Sequence, residues 1–213
     1  MSRDNDWAKA VIRERFGVSH ETFERLTAYV GLLEHWQKRI NLVAPSTLQE
    51  IWTRHILDSV QLFAIKPEAK HWLDLGSGGG LPGLVLGALL AEVPGGKITL
   101  VESNGKKGAF LRHVSAELRL PVTVEVERIE AVIPRLEIPE IVTARALASL
   151  DMLLGFSNLL LKSGAVGLFP KGREHAEELT LAHKNWHFSV QQHASVTESS
   201  SRILEISMAM PPS

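Results

Sequence analysis

Leu73–Gly83 reads LDLGSGGGLPG, and the fold of the chain turns on it. A strand ends at Asp74, five glycines crowd the next nine positions, and Pro82 stands where a helix would begin. Glycine accepts positive φ and lets a ligand come close to the backbone. In a doubly wound sheet such a strand–turn–helix crossover is where ligands bind, outside the carboxyl ends of the strands. Gly78, Gly80 and Gly83 satisfy a literal G-x-G-x-x-G, the pattern of dinucleotide folds. Asp74 argues otherwise. It makes D-x-G-x-G-x-G with Gly76, Gly78 and Gly80, and a carboxylate there suits a ligand carrying an ammonium group. The amino-acid end of S-adenosylmethionine fits that description better than a pyrophosphate does.

Outward from this loop, the second β-type run KITLVE ends at Glu102, where an acidic side chain would accept hydrogen bonds from ribose hydroxyls. Ile129 and Glu130 follow the third run, VTVEVE, where an adenine would reach: an apolar side chain for the ring and polar groups for its edge. From His71 onward such runs alternate with helical stretches, with helices expected over residues 105–120, 149–161 and 173–184. This alternation predicts βαβ units and a mostly parallel sheet. HFSVQQHASV and SRILEISM then follow each other with no helix between them, as an antiparallel pair would. The expected fold is α/β: a class I, Rossmann-like methyltransferase fold with a mostly parallel seven-stranded sheet. Before Pro67 the chain has almost no glycine or proline. Phe23, Leu26, Val30, Leu33 and Ile40 form a helical stripe, Ser19 is placed to cap it, and a further helix is expected over residues 48–63. The reading is an N-terminal helical subdomain, residues 1–66, before a methyltransferase domain, residues 67–213.

Composition narrows the function. With 213 residues, 45% hydrophobic and 22% charged, the chain can fill a core. The 23 basic and 24 acidic residues exclude a strongly cationic nucleic-acid coat, though not a local basic patch. There is no cysteine, so disulfides, thiolate metal sites and cysteine nucleophiles are excluded. MSRDNDWAKAVIRERF is too charged for a signal peptide, and the run Leu81–Leu90 is broken by Pro82, Gly83 and Gly87. A soluble, cytoplasmic protein with no membrane partner is expected.

Two cations are placed to act. Arg145 follows the fourth strand and Lys171 the fifth, both on the carboxyl edge that carries the glycine loop, where phosphate or guanine oxygens are natural partners. Lys106, Lys107, Arg112 and Arg119 are spread around a helix and read as solvated charge. Arg54, His55 and Asp58 lie one helical turn apart and could pair with each other, docking the helices on the sheet. His183 and His187 are four apart with no third ligand near, so no metal site is expected. Absences narrow the methyl acceptor. Pyrimidine C5 chemistry usually needs a cysteine, and the tetrapeptide usual for exocyclic amines is replaced by TARA. A ring nitrogen with a free lone pair needs neither.

LDLGSGGGLPG, VESNGKKGAFLR, VTARALASL and FPKGRE, preceded by INLVAPS and TRHILDSVQL, resemble the bacterial RsmG (GidB) family over about residues 30–171. RHILDS and the Arg-Ala-x-Ala-x-Leu stretch are its most specific parts. The resemblance implies a methyltransferase that makes 7-methylguanosine in a decoding-region loop of 16S rRNA, met as free RNA, as a 30S particle or as an assembly intermediate. It implies that Gly76, Leu81, Ile129, Glu130 and Arg145 contact S-adenosylmethionine and that Lys171 lies near the active site. Glu102 stands where many members have aspartate, and Asn104 where many have an apolar residue. Arg145 and Lys171 are then expected to hold RNA or the guanine rather than act as bases. A nicotinamide-dependent oxidoreductase and a catalytically silent RNA-binding or assembly factor remain open at this point, as does the oligomeric state.

Overall fold

The computed structural model describes residues 3–210. Its sheet has the spatial order β3-β2-β1-β4-β5-β7-β6. Strands β1 (His71–Leu75), β2 (Lys97–Val101), β3 (Val122–Glu125), β4 (Ile141–Thr143) and β5 (Val166–Lys171) are parallel. β7 (Arg202–Met210) pairs antiparallel with β5, and β6 (His187–Ala194) antiparallel with β7. β1 lies between β2 and β4, so the connections leave it in opposite directions, and a crevice opens at its carboxyl end.

Both faces of the sheet are covered, which is why its central strands read as continuous apolar runs. Successive residues point to opposite faces. Trp72, Ile98 and Leu100 join one core with α4 (Gly83–Leu90) and α5 (Gly105–Glu117). Leu73, Leu75 and Val101 join the other, with α6 (Ile129–Val132), α7 (Leu150–Lys162) and α8 (His175–Asn185). Side chains of Ser149 and Asn104 accept backbone N–H groups at the starts of α7 and α5. α5 stops at Glu117, short of residue 120, and Arg119 beyond it takes φ +52°.

The N-terminal helices α1 (Arg3–Glu14), α2 (His20–Gln37) and α3 (Asp58–Ile65) bury Ile12, Phe23, Leu26, Leu33 and Val60 in the same core as α4. Ser19 caps α2 through the Thr22 N–H, as its position predicts. The single helix expected over residues 48–63 is instead three pieces: a 3₁₀ turn at Pro45–Glu50, a π turn at Trp52–Leu57, and α3. The π turn is held from two sides. Asn5 Oδ1 accepts the Trp52 N–H (3.2 Å), while the Arg54 carbonyl accepts from Arg145 (2.9 Å). Those partners are remote in sequence, so periodicity could not show the irregularity.

Candidate active site

Asp74 closes the glycine loop from beneath. Its side chain is fully buried, and Oδ2 accepts the Gly83 N–H at 3.1 Å. Gly83 is required for that contact, since a Cβ there would lie 2.3 Å from Leu100 Cδ2 and 2.6 Å from Asp74 Oδ2. Burial pushes the Asp74 carboxyl up to about 7, opposed by the hydrogen bonds from Ser77 and Gly83 and by Arg145. Oδ1 has no hydrogen-bond partner among the described residues. Asp74, expected to meet a ligand ammonium, makes a different contact in this structure. Its carboxyl points under the loop, where it fixes the start of α4, and it is not part of the cavity wall.

Above the loop lies a cavity of about 510 Å³, within the range of roughly 300–1,000 Å³ usual for small-molecule sites. Gly76, Gly78, Leu81, Glu102, Ile129, Glu130 and Arg145 all line it. Glu102 is nearly buried and rigidly held. Its Oε2 accepts the Gly78 N–H and its Oε1 the Asn104 N–H, each at 2.8 Å. Gly78 has φ +55°, and a Cβ built on it meets only the Gly76 carbonyl, at 3.8 Å. The loop thus offers bare backbone on one side of the cavity, with a fixed carboxylate beside it. A nucleoside bearing a ribose diol fits this donor and acceptor set, and Leu81, Ile129, Leu147 and Phe156 supply apolar surface for a ring.

Part of the wall comes from the N-terminal extension. Leu42, Val43 and Thr47 line the cavity, yet the residues INLVAPS carry no recognisable ligand chemistry of their own. A side chain at the end of α2 places them, and a long-range bond ties the same helix to the glycine loop. Gln37 Oε1 accepts the N–H groups of Leu42 (2.8 Å) and Val43 (3.1 Å), and Tyr29 Oη donates to the Gly79 carbonyl (2.6 Å). Lys107, expected as solvated charge, is also on the lining.

Arg145 forms a partition. It lines the first cavity and a second of about 430 Å³, together with Thr47, His55 and Ala146. One guanidinium nitrogen donates to the Arg54 carbonyl (2.9 Å) and reaches Asp58 Oδ2 (3.4 Å); the other donates to His55 Nδ1 (2.6 Å). Arg54, His55 and Asp58 therefore do dock the helices on the sheet, but by gripping Arg145 rather than each other. Because Nδ1 accepts, the network assigns the proton to Nε2, which donates to Thr47 Oγ1 (2.7 Å), and Thr47 donates to the Ala44 carbonyl (2.8 Å). Burial, then Arg145 and Arg54, lower the His55 pKa to about 3. The ring is neutral at any working pH. Ala146, next along the partition, has φ +54°, a left-handed conformation costing a non-glycine residue about 1–2 kcal/mol.

Lys171 lines the second cavity and not the first. Its ammonium donates to Glu178 Oε2 (2.7 Å) and the Ala148 carbonyl (2.9 Å), and that same carboxylate oxygen accepts the Leu150 N–H (2.6 Å). Only 8% of the Lys171 side chain is exposed. The strand ends bring Arg145 and Lys171 to the second cavity, where each already faces a carboxylate. His183 stacks on Phe188, with ring centroids 4.2 Å apart.

Residues 22–206 match the family model described as rRNA small subunit methyltransferase G. The Ribosomal RNA small subunit methyltransferase G of Brucella anthropi is 53% identical over 189 residues, covering 89% of each chain. That of Brucella ovis is 50% identical over 190 residues, again 89% of each. Among solved structures, cofactor-bound Rv0187 from MTB is similar in fold, with a TM-score of 0.63 at 14% identity over 98% of this chain and 99% of that one. A mutant of MtNAS in complex with S-adenosylmethionine gives 0.57 at 14% identity, over 96% and 79%. Relatives this similar remove the oxidoreductase reading of Gly78, Gly80 and Gly83: the chain belongs to the rRNA small subunit methyltransferase G family, whose members are S-adenosylmethionine-dependent enzymes.

Proposed function

We propose that the chain methylates N7 of a guanine in small-subunit (16S) rRNA in the cytoplasm, with S-adenosylmethionine in the first cavity and the target nucleotide in the second. The observation that carries this reading is the partition. Two cavities of nucleoside size share Arg145, His55, Thr47 and Ala146 on their lining, so a donor in one and an acceptor in the other can meet at their common edge. S-adenosylmethionine, when bound, supplies a methyl carbon whose bond to sulfur breaks as the lone pair of a ring nitrogen bonds to it. Glu102 accepts from the ribose hydroxyls, Gly78 leaves room for the sugar, Ile129 and Glu130 flank the adenine, and Gly76 and Leu81 line the space between them. The protein contributes proximity and orientation.

N7 carries no proton, so its methylation needs no general base, whereas an amine acceptor does. The partition agrees with that requirement. The free lone pair of His55 is taken by Arg145, and both oxygens of Asp58 are occupied, Oδ1 by Gln61 and Thr197 and Oδ2 by Arg145. The test is methyl transfer from labelled S-adenosylmethionine to free 16S rRNA and to 30S particles, followed by mapping of the product. Substrate carrying 7-deazaguanine at the target should bind and accept no methyl. Transfer to the deaza substrate at a normal rate would falsify the N7 assignment.

A further inference from the structure

The second cavity holds more positive charge than the two pairs in its floor require. Arg145 faces Asp58 and Lys171 faces Glu178. Two further arginines line the same cavity, Arg54 and Arg202, and neither makes an ion pair among the described residues. The remaining carboxylate on the lining, Glu198, is exposed and accepts from the Ser200 hydroxyl (3.1 Å).

The sheet register sharpens the imbalance. Lys171 on β5 stands directly opposite Arg202 on β7. Like charges in that position repel and destabilise the pairing. Glu178 neutralises the lysine and leaves the arginine. Arg202 is held ready nonetheless: its Nη1 donates to the carbonyls of Ser199 (2.7 Å) and Ser201 (2.8 Å), and no acceptor among the described residues takes its Nη2. The β6–β7 turn it grips is itself anchored to the N-terminal extension. Asp58 Oδ1 accepts from Thr197 Oγ1 (2.8 Å), and Gln61 Oε1 accepts the Val196 N–H (3.0 Å). Arg54 is exposed on the π turn, one residue from the His55 that grips Arg145. A planar guanidinium with open donors, fixed beside uncompensated positive charge, matches an oxyanion with several acceptor oxygens.

We propose that Arg54 and Arg202 grip the phosphate backbone of the RNA strand at the mouth of the second cavity while the base of one nucleotide enters it. This rests on the reading of that cavity as the acceptor site. It moves the RNA-holding role from Arg145 and Lys171, whose charges are internally balanced, to two residues outside that expectation, one of them on the C-terminal hairpin.

The experiment measures rRNA binding to the full chain over a range of salt concentrations, with cofactor affinity measured in parallel. Each neutralised phosphate contact removes about 0.7 from the slope of log affinity against log salt for a single strand. Arg54→Gln and Arg202→Gln should each flatten the slope by about that amount and the double variant by about twice as much. S-adenosylmethionine affinity should stay unchanged. Arg54→Lys and Arg202→Lys keep the charge and should keep the slope, which separates charge from any loosening of the turn. The double variant Lys171→Gln/Glu178→Gln, which removes both partners of a neutral pair, should leave the slope where it was. A folded double glutamine variant that methylates rRNA with the wild-type salt slope overturns the clamp and leaves the methyltransferase reading standing. A slope change in Lys171→Gln/Glu178→Gln as large as that of Arg202→Gln overturns the division of roles. A wild-type protein that neither binds nor methylates rRNA overturns the acceptor-site reading and the clamp with it.

Discussion

Replacing Asp74 with asparagine should change the pH dependence of stability in one direction only. The wild-type carboxyl is fully buried with Oδ1 unpartnered, and its pKa is raised from 3.8 to about 7. A folded-state value above the unfolded one means that the folded chain holds the proton more tightly. Its stabilising contribution is present in full below about pH 4 and is lost as pH rises through about 7. A shift of roughly three units at about 1.4 kcal/mol each makes the loss about 4 kcal/mol at most. Asparagine can still accept the Gly83 N–H but does not ionise. Asp74→Asn should therefore gain stability relative to wild type from pH 4 to pH 8, by up to about 4 kcal/mol. Urea unfolding of the cofactor-free proteins at intervals across that range measures the difference, in which all other titrations, His55 included, cancel. The same variant tests whether Asp74 anchors the loop or meets the cofactor. Loss of a charged ligand contact would cost about 1.5–3 kcal/mol of S-adenosylmethionine affinity, roughly tenfold or more, whereas a loop anchor should cost less. A wild-type-minus-variant difference that stays flat from pH 4 to pH 8 would refute the buried, proton-holding carboxyl.

Gly78→Ala should cost about 1–2 kcal/mol for its left-handed backbone yet fold, because its Cβ enters open space beside the cavity; calorimetry should show cofactor affinity down at least roughly tenfold, and an unchanged affinity would remove Gly78 from the site. His55 should stay neutral throughout catalysis, so its ring resonances should not titrate between pH 5 and pH 8 by NMR, since its pKa is lowered to about 3. The stability it confers is present above its unfolded pKa, near 6.5, and is lost as pH falls toward 3. His55→Ala should cut turnover more than S-adenosylmethionine affinity, because it frees Arg145 on the acceptor side; equal losses in both would place Arg145 with the cofactor alone. Tyr29→Phe should cost about 1–3 kcal/mol in urea unfolding, since it leaves the Gly79 carbonyl without its partner, and an unaffected midpoint would show that the extension is not tied to the loop through that bond.

The sequence alone determined the sheet and one wall of the site. Period-two and period-3.6 apolar patterns are local, so the alternation of elements, the terminal antiparallel pair and the carboxyl edge carrying Gly76, Glu102, Ile129 and Arg145 were all legible. Local patterns also located the helix start at Pro82 and the cap at Ser19. The rest depended on where remote groups meet. D-x-G-x-G-x-G places a carboxylate near the loop but cannot tell which way it points; packing of α4 against β2 turns Asp74 downward to Gly83. A helical stripe cannot report that residues 52–57 widen into a π turn, because the groups that hold it, Asn5 and Arg145, lie 47 and 91 positions away from their partners. Charge at a strand end is visible in the sequence, but its neutralisation is not. Whether Arg145, Lys171 or Arg202 is free to meet a phosphate is set by carboxylates on α3 and α8 that only tertiary packing delivers, since Coulomb energy depends on distance through space and not along the chain.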